Sequence, residues 1–340
     1  MHDFYSDTRT KPTAGMRRTV LDAQVGDEQS DQDPTTRALC ERVAELLGKE
    51  AAVFLPSGTL CNEIALQVHV RPGEEVICER NCHIARFEGG APAAYAGAMM
   101  QPLDGTRGML DQDQVREAIR PGNRYTPKSR LVTVEQTANL AGGAVWPVER
   151  LDAVAEAAHA AGLATHMDGA RLMNAVVRSG VPAARMAAGY DSVWIDFTKG
   201  LGAAVGAALA GSKEFVAEAW RVKQRMGGAM RQSGILASMA DYALDHHVER
   251  LAEDHALAAR IADRLAAMPK VAGVLPADTN IIIFDVTEDA PTADMLVARL
   301  GEDSIRIGAF GTRRIRVVTH LDVDAAAADA LCEALAKHLG

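Results

Sequence analysis

From Asp33 onward, two hydrophobic periods alternate along the chain. A helical pattern opens at Asp33-Pro34, where Asp suits the N-cap and Pro the first turn, and its leucines and valine recur at helical spacing. A short apolar run over 51–55 follows, then the turn Pro56-Ser-Gly-Thr59, then a helical stretch through Asn62, Leu66 and Val68. This reads as a strand–turn–helix unit. Further apolar runs at 75–78, 130–134, 163–167 and 192–195 predict strands, and an amphipathic helix over 148–161 lies between two of them. Short strands alternating with helices imply an α/β class with a mostly parallel sheet flanked by helices on both faces.

Beyond about residue 235 the texture changes to an alanine- and leucine-rich helical stretch through Leu251, Ala256 and Ile261, ending near Pro269. Strands over 279–284 and 314–319 and a terminal helix over 324–338 complete a small C-terminal α+β unit. The chain therefore divides into an N-terminal segment with a large domain over 1–240 and a small domain over 241–340. Its 340 residues exceed the roughly 100–200 usual for one domain, which fits this division.

Composition narrows the function classes. Thirty-six basic against 45 acidic residues give a net charge of −9, which argues against a nucleic-acid or anionic-membrane partner, so any anion must be captured locally. Five cysteines without a CxxC pair suggest neither a disulfide framework nor a zinc site, and a reducing cytoplasm fits. The first residues contain no apolar signal region, and no run approaches the 18 apolar residues of a membrane span.

Candidate chemistry gathers where strands end, because ligands of an open parallel sheet sit at the strands' carboxyl ends. Lys199 ends the apolar run Asp191-Ser-Val-Trp-Ile-Asp-Phe-Thr and precedes a glycine-rich turn. An amine that leaves a buried strand is partly desolvated, which suits a Schiff-base nucleophile for a carbonyl cofactor. Ser57, Gly58 and Thr59 precede a helix, so their amides and hydroxyls suit a phosphate, with a plain helix cap as the alternative. Asp168 ends a strand and could hold a pyridine nitrogen protonated; its alternative is capping the next helix. Arg171, three residues on, could fork onto a substrate carboxylate or pair with Asp168. His83, after another strand, could stack on a cofactor ring and exchange protons. No metal-ligand spacing is present among the histidines, and Gly200-x-Gly202-x-x-x-Gly206 lacks the spacing of a dinucleotide fingerprint.

With those residues in view, the chain resembles the low-specificity L-threonine aldolases, pyridoxal-phosphate enzymes of the aspartate-aminotransferase-like fold. The matching segments run nearly end to end: Ser6-Asp-Thr-Arg-Thr-Lys-Pro12, Val25-Gly-Asp27, Asp33-Pro-Thr35, Gly48-Lys-Glu-Ala-Ala52, Pro56-Ser-Gly-Thr59, Asp168-Gly-Ala-Arg-Leu172, Lys199-Gly-Leu-Gly202, Met230-Arg-Gln-Ser-Gly-Ile-Leu236 and Arg316-Val-Val-Thr-His-Leu-Asp322. The resemblance implies that Lys199 carries pyridoxal 5'-phosphate, Asp168 pairs with its ring nitrogen, His83 stacks on the ring, and Gly58 and Thr59 hold the phosphate. It also implies that Ser6, Arg171 and Arg316 bind the carboxylate of a small amino-acid substrate, and that Arg231 lies near the phosphate, across a subunit interface of a homotetramer built as a dimer of dimers.

Departures from the family pattern concern the substrate side. Ser30 stands in place of a tyrosine, Ala138 in place of a histidine associated with the substrate hydroxyl, and Gln224 in place of a lysine. The expected reaction is retro-aldol cleavage of a β-hydroxy-α-amino acid to glycine and an aldehyde, with His83 as the remaining base. The alternatives are a racemase, a β-eliminating lyase or an aldolase for bulkier or α-substituted substrates on the same cofactor, and a protein that only binds the cofactor.

Overall fold

The computed structural model describes residues Met1–Gly340. A seven-stranded sheet is formed by β1 (Ala51–Leu55), β2 (Glu75–Glu79), β3 (Met99–Leu103), β4 (Ser129–Glu135), β5 (Ala164–Asp168), β6 (Ser192–Asp196) and β7 (Ala207–Gly211). Their spatial order is β1-β7-β6-β5-β4-β2-β3. All neighbours are parallel except β7, which runs antiparallel to both β1 and β6. The α/β class and the mostly parallel sheet expected from periodicity are thus observed. The sequence pattern did not single out β7, because Ala-Ala-Leu-Ala-Gly has the low β-propensity of small residues and continues the glycine-rich run before it. The half-buried rim strand β3, which contains Pro102, was also missed.

Local signals set the elements that frame the site. The helix α1 (Pro34–Leu47) opens on Asp33, whose carboxylate accepts from the Thr36 N–H at 2.9 Å, and closes on Gly48 at φ +62°. The helix α2 (Gly58–His69) opens on Ser57, whose hydroxyl accepts from the Leu60 N–H at 3.3 Å. β2, β6 and β7 are buried along their whole lengths, as strands covered by helices on both faces must be.

A second, four-stranded sheet is made of β8 (Val271–Val274), β9 (Ile281–Val286), β10 (Gly308–Ala309) and β11 (Arg314–Val318), in the order β10-β11-β9-β8 and antiparallel throughout. It packs with the helices Leu251–Ala266, Ala293–Glu302 and Ala325–Leu339 around its own core, in which Phe284, Leu296, Val317 and Leu335 are buried. The N-terminal residues reach across to this unit: His2–Asp3 pairs in parallel with Ile305–Arg306, and Phe4 is buried in the same core. That crossing brings residues 5–8 to the carboxyl ends of the large sheet's strands.

Candidate active site

Three neighbouring strands end in carboxylates: Glu135 on β4, Asp168 on β5 and Asp196 on β6. Glu135 stands opposite Asp168 in the strand register. Beside them a cavity of about 240 Å³ is lined by Tyr5, Ser6, His83, Glu135, Arg171, Lys199 and Arg316, among others. Five of the ten site residues expected from sequence therefore line one cavity: Ser6, His83, Arg171, Lys199 and Arg316.

Lys199 keeps a side-chain exposure of 16%, and its Nζ donates to Asp196 Oδ2 at 2.7 Å. The same Nζ lies 5.6 Å from the centroid of the Trp194 ring. The amine is therefore accessible from the cavity yet held by a buried carboxylate three residues earlier in the chain.

Asp168 is the buried end of β5 and lies near enough to Lys199 to feel its charge. Its Oδ1 accepts from the Ala170 N–H at 3.1 Å and its Oδ2 from Asn62 Nδ2 at 2.9 Å. Burial raises its pKa above the ordinary value, against the opposing charges of His83 and Lys199. Neither helix capping nor pairing with Arg171 absorbs this carboxylate.

Asn62, fully buried on α2, was not foreseen. Trp194 Nε1 donates to its Oδ1 at 2.7 Å, and an indole N–H only donates, so the amide orientation is determined. Its Nδ2 then donates to both Asp168 and Glu88 Oε1, the latter at 2.7 Å. His166 Nε2 completes the shell at 3.1 Å from Asn62 Oδ1. Burial, with the nearby His69, pushes the His166 pKa down to about 3, so this ring is a neutral donor. An amide inside a helical apolar pattern carries no mark in sequence that separates it from an exposed one.

His83 begins the short helix α3 (His83–Arg86), and its backbone N–H donates to Glu135 Oε2 at 2.8 Å. Its Nδ1 lies 2.8 Å from Glu88 Oε1. Burial works against its charged form, but the hydrogen bond to Glu88 and the charges of Asp168, Glu88 and Glu135 outweigh burial and raise its pKa. Glu135 is itself pushed up to about 7, first by burial and then by the charge of Asp168. The rule that selected Asp168, a carboxylate at a strand end, also describes Glu135.

Arg171 lines the cavity but commits one side of its guanidinium to the chain itself. Its Nε and Nη2 donate to Asp7 Oδ2 and Oδ1 at 2.8 and 2.7 Å, so the carboxylate partner expected to be a substrate's, or Asp168, is Asp7. Burial opposes ionisation of Asp7, but Arg171, Lys199 and Asn280 hold its carboxyl far below the usual range. Arg316 differs. Its Nη1 donates to Asn139 Oδ1 at 3.0 Å and its Nη2 to the Tyr5 carbonyl at 3.3 Å, but its Nε is buried without a partner. No carboxylate of the chain pairs with it, and the guanidinium lies 4.2 Å from the Phe310 ring centroid. Burial, then the charge of Arg171, lowers its pKa to about 10, which leaves it cationic at neutral pH.

Ser57, Gly58 and Thr59 form the N-terminus of α2, outside the cavity lining. Ser57 is the helix cap, and a Cβ on Gly58 would come within 2.2 Å of the Trp194 ring, so glycine is required by close packing. Arg231 lies away from the cavity with 62% of its side chain exposed, and pairs with Asp27 at 2.8 Å. Ser30 and Gln224 are exposed as well, and Ala138 is buried outside the lining, so none of the three altered positions lines the cavity of its own chain.

Residues 3–289 match the model of the beta-eliminating lyase family. The low specificity L-threonine aldolase of Escherichia coli K12 is 40% identical over 326 residues, 95% of each chain. Low-specificity L-threonine aldolase 1 of Arabidopsis thaliana is 38% identical over 325 residues, 94% of this chain and 90% of the relative. The solved structure of the Leishmania major threonine aldolase superposes with a TM-score of 0.85 over 99% of each chain at 21% identity, a likeness of fold.

Proposed function

The chain belongs to the beta-eliminating lyase family, and from that premise we propose that it is a pyridoxal 5'-phosphate-dependent aldehyde-lyase that cleaves β-hydroxy-α-amino acids of the threonine type to glycine and an aldehyde. One observation carries this reading: the Lys199 amine and the un-neutralised Arg316 guanidinium line the same cavity. An aldehyde cofactor requires the first, and an α-carboxylate requires the second.

The donor set suits that cofactor. Lys199 would hold its carbonyl carbon, Asp168 its ring nitrogen and His83 the face of its ring. The first-turn N–H groups of α2, at Gly58 and Thr59, lack intrahelical partners and suit its phosphate, and the Ser57 hydroxyl, which accepts from the Leu60 N–H, keeps its own O–H to donate. Arg231 would reach a phosphate only in another subunit, and its exposure in its own chain supports a homo-oligomer, which we take to be a tetramer.

When bound, the cofactor supplies an electron sink for the bond that breaks. The protein supplies the rest. Arg316 fixes the substrate carboxylate, with Ser6 at its side and Arg171 behind, braced by Asp7. His83 Nδ1 is held by Glu88, which leaves Nε2 to take the β-hydroxyl proton. As that proton leaves, the Cβ–O bond becomes a carbonyl and the Cα–Cβ bond breaks, its electron pair staying on Cα. Reprotonation at Cα yields glycine.

Incubation with threonine, allo-threonine, phenylserine and serine isomers tests the proposal. Glycine and the matching aldehyde in equal amounts are expected. Ammonia with a keto acid, or racemised substrate without cleavage, as the main outcome would replace this reading with β-elimination or racemisation. Borohydride reduction followed by peptide mapping should place the pyridoxyl group on Lys199.

A further inference from the structure

Glu63 follows Asn62 on α2 and is 1% exposed, yet neither of its carboxyl oxygens has a hydrogen-bond donor. Across from it, Glu88 uses Oε1 to accept from Asn62 and to hold His83 Nδ1, while its own buried Oε2 also lacks a partner. The two carboxyl groups lie within side-chain hydrogen-bond reach of each other. Two ionised carboxylates only accept, so this contact requires a proton between them. An isolated buried carboxylate without donors is also prohibitively costly.

We propose that Glu63 is a neutral carboxylic acid that donates its proton to Glu88 Oε2, and so serves as the positioning residue that fixes Glu88 as the anion orienting His83. Burial first, then the hydrogen bond and charge of Glu88, pushes the Glu63 pKa up to about 9, in keeping with a neutral acid at physiological pH. The groups facing His83 are Glu88 from the segment after α3, Asp168 from the end of β5 and Glu135 from the end of β4. With Glu63 neutral and donating, Glu88 is satisfied on both oxygens. Its Oε1 then keeps His83 Nδ1 protonated and leaves Nε2 facing the cavity. Without the Glu63 donor, Glu88 Oε2 would be left buried and unpaired, and the hold of Glu88 on His83 would weaken.

The inference rests on the role proposed above for His83 but is read in the cofactor-free protein, so its failure and the failure of the aldolase reading are separable. Glu63→Gln keeps a donor of the same shape; Glu63→Met keeps the volume and removes the donor. The wild-type minus Glu63→Gln infrared difference spectrum at neutral pH should contain a protonated-carboxyl band. Histidine NMR titration should place the His83 midpoint within about half a unit of wild type in Glu63→Gln and about one unit or more lower in Glu63→Met. A difference spectrum without that band, or equal His83 shifts in the two variants, overturns the proposal. Should Glu63→Met fail to fold, the infrared comparison of wild type and Glu63→Gln decides alone.

Discussion

Arg171 grips both oxygens of Asp7, at 2.8 and 2.7 Å, with both side chains almost completely buried. Asp7 belongs to the N-terminal segment that crosses from the small sheet, so this ion pair locks that segment against the end of β5 and presents Ser6 to the cavity. Breaking a buried pair by removing one charge strands the other, at a cost of about 3–5 kcal/mol. Asp7→Asn is therefore expected to lower the unfolding free energy by that order, as read by urea denaturation at neutral pH. A loss below about 1 kcal/mol would show that the pair is not holding the segment.

The pH dependence follows from His83. The base that takes the hydroxyl proton must be neutral, and its charged neighbours raise its pKa above the ordinary value of about 6.5. Activity should therefore be lost as pH falls, with the midpoint of the acid limb of kcat/KM above that value. Glu88→Gln removes the hydrogen-bonded anion and should move the midpoint downward. A limb that stays in place in Glu88→Gln would remove His83 from the proton transfer.

Asn62 makes a different demand. It satisfies Asp168, Glu88, Trp194 and His166 at once, with two donors and one acceptor oxygen. Asn62→Ala leaves buried polar groups unpaired at about 1–3 kcal/mol each, and the losses are not expected to add fully because the groups share one network. Thermal unfolding of the cofactor-free protein should show a large drop. Cofactor affinity should fall too, since Asp168 loses the donor that supports its ionised form.

What the sequence disclosed and what it withheld divide along physical lines. Strand ends are visible as the point where an apolar run meets a polar residue, which is why Asp168, Lys199 and His83 stood out. The parallel strands β1, β2, β4, β5 and β6 were legible for the same reason. The antiparallel β7 was not, because five small residues carry little periodicity. Partnerships between distant segments were equally hidden. Nothing near Arg171 points to Asp7, 164 positions away, and nothing near Asn62 points to Asp168, 106 positions away. The resemblance to the aldolases supplied the aligned motifs, but the distinction between a neutralised Arg171 and an un-neutralised Arg316 came only from the fold.

Gly58 tests the phosphate cradle without touching a charged group. An added methyl group would lie 2.2 Å from Cη2 and 2.4 Å from Cζ3 of the Trp194 ring. Gly58→Ala must push either the indole or the first turn of α2 aside. A displaced indole would disturb the hydrogen bond to Asn62; a displaced turn would misplace the amides at Gly58 and Thr59. Either way the pyridoxal phosphate dissociation constant should rise by about tenfold or more, the effect of roughly 1.4 kcal/mol. Unchanged cofactor affinity would place the phosphate elsewhere.

Arg316 carries the sharpest expectation, because it is the buried cation of the cavity without an internal counter-ion. In the substrate complex its fork and the substrate carboxylate would form a desolvated, charge-assisted pair, and truncating such a partner costs about 2–5 kcal/mol. Arg316→Ala should therefore lower kcat/KM by roughly 30-fold to several-thousand-fold, at 1.36 kcal/mol per factor of ten. Lysine is not an equivalent, since one ammonium cannot hold Asn139, the Tyr5 carbonyl and a carboxylate in the fork's geometry, so Arg316→Lys should recover only part of the loss. Cofactor absorbance should survive both changes. Loss of substrate binding with the cofactor retained separates a carboxylate anchor from a structural arginine; if the cofactor is lost as well, or if both variants cleave threonine at the wild-type rate, Arg316 is not the anchor.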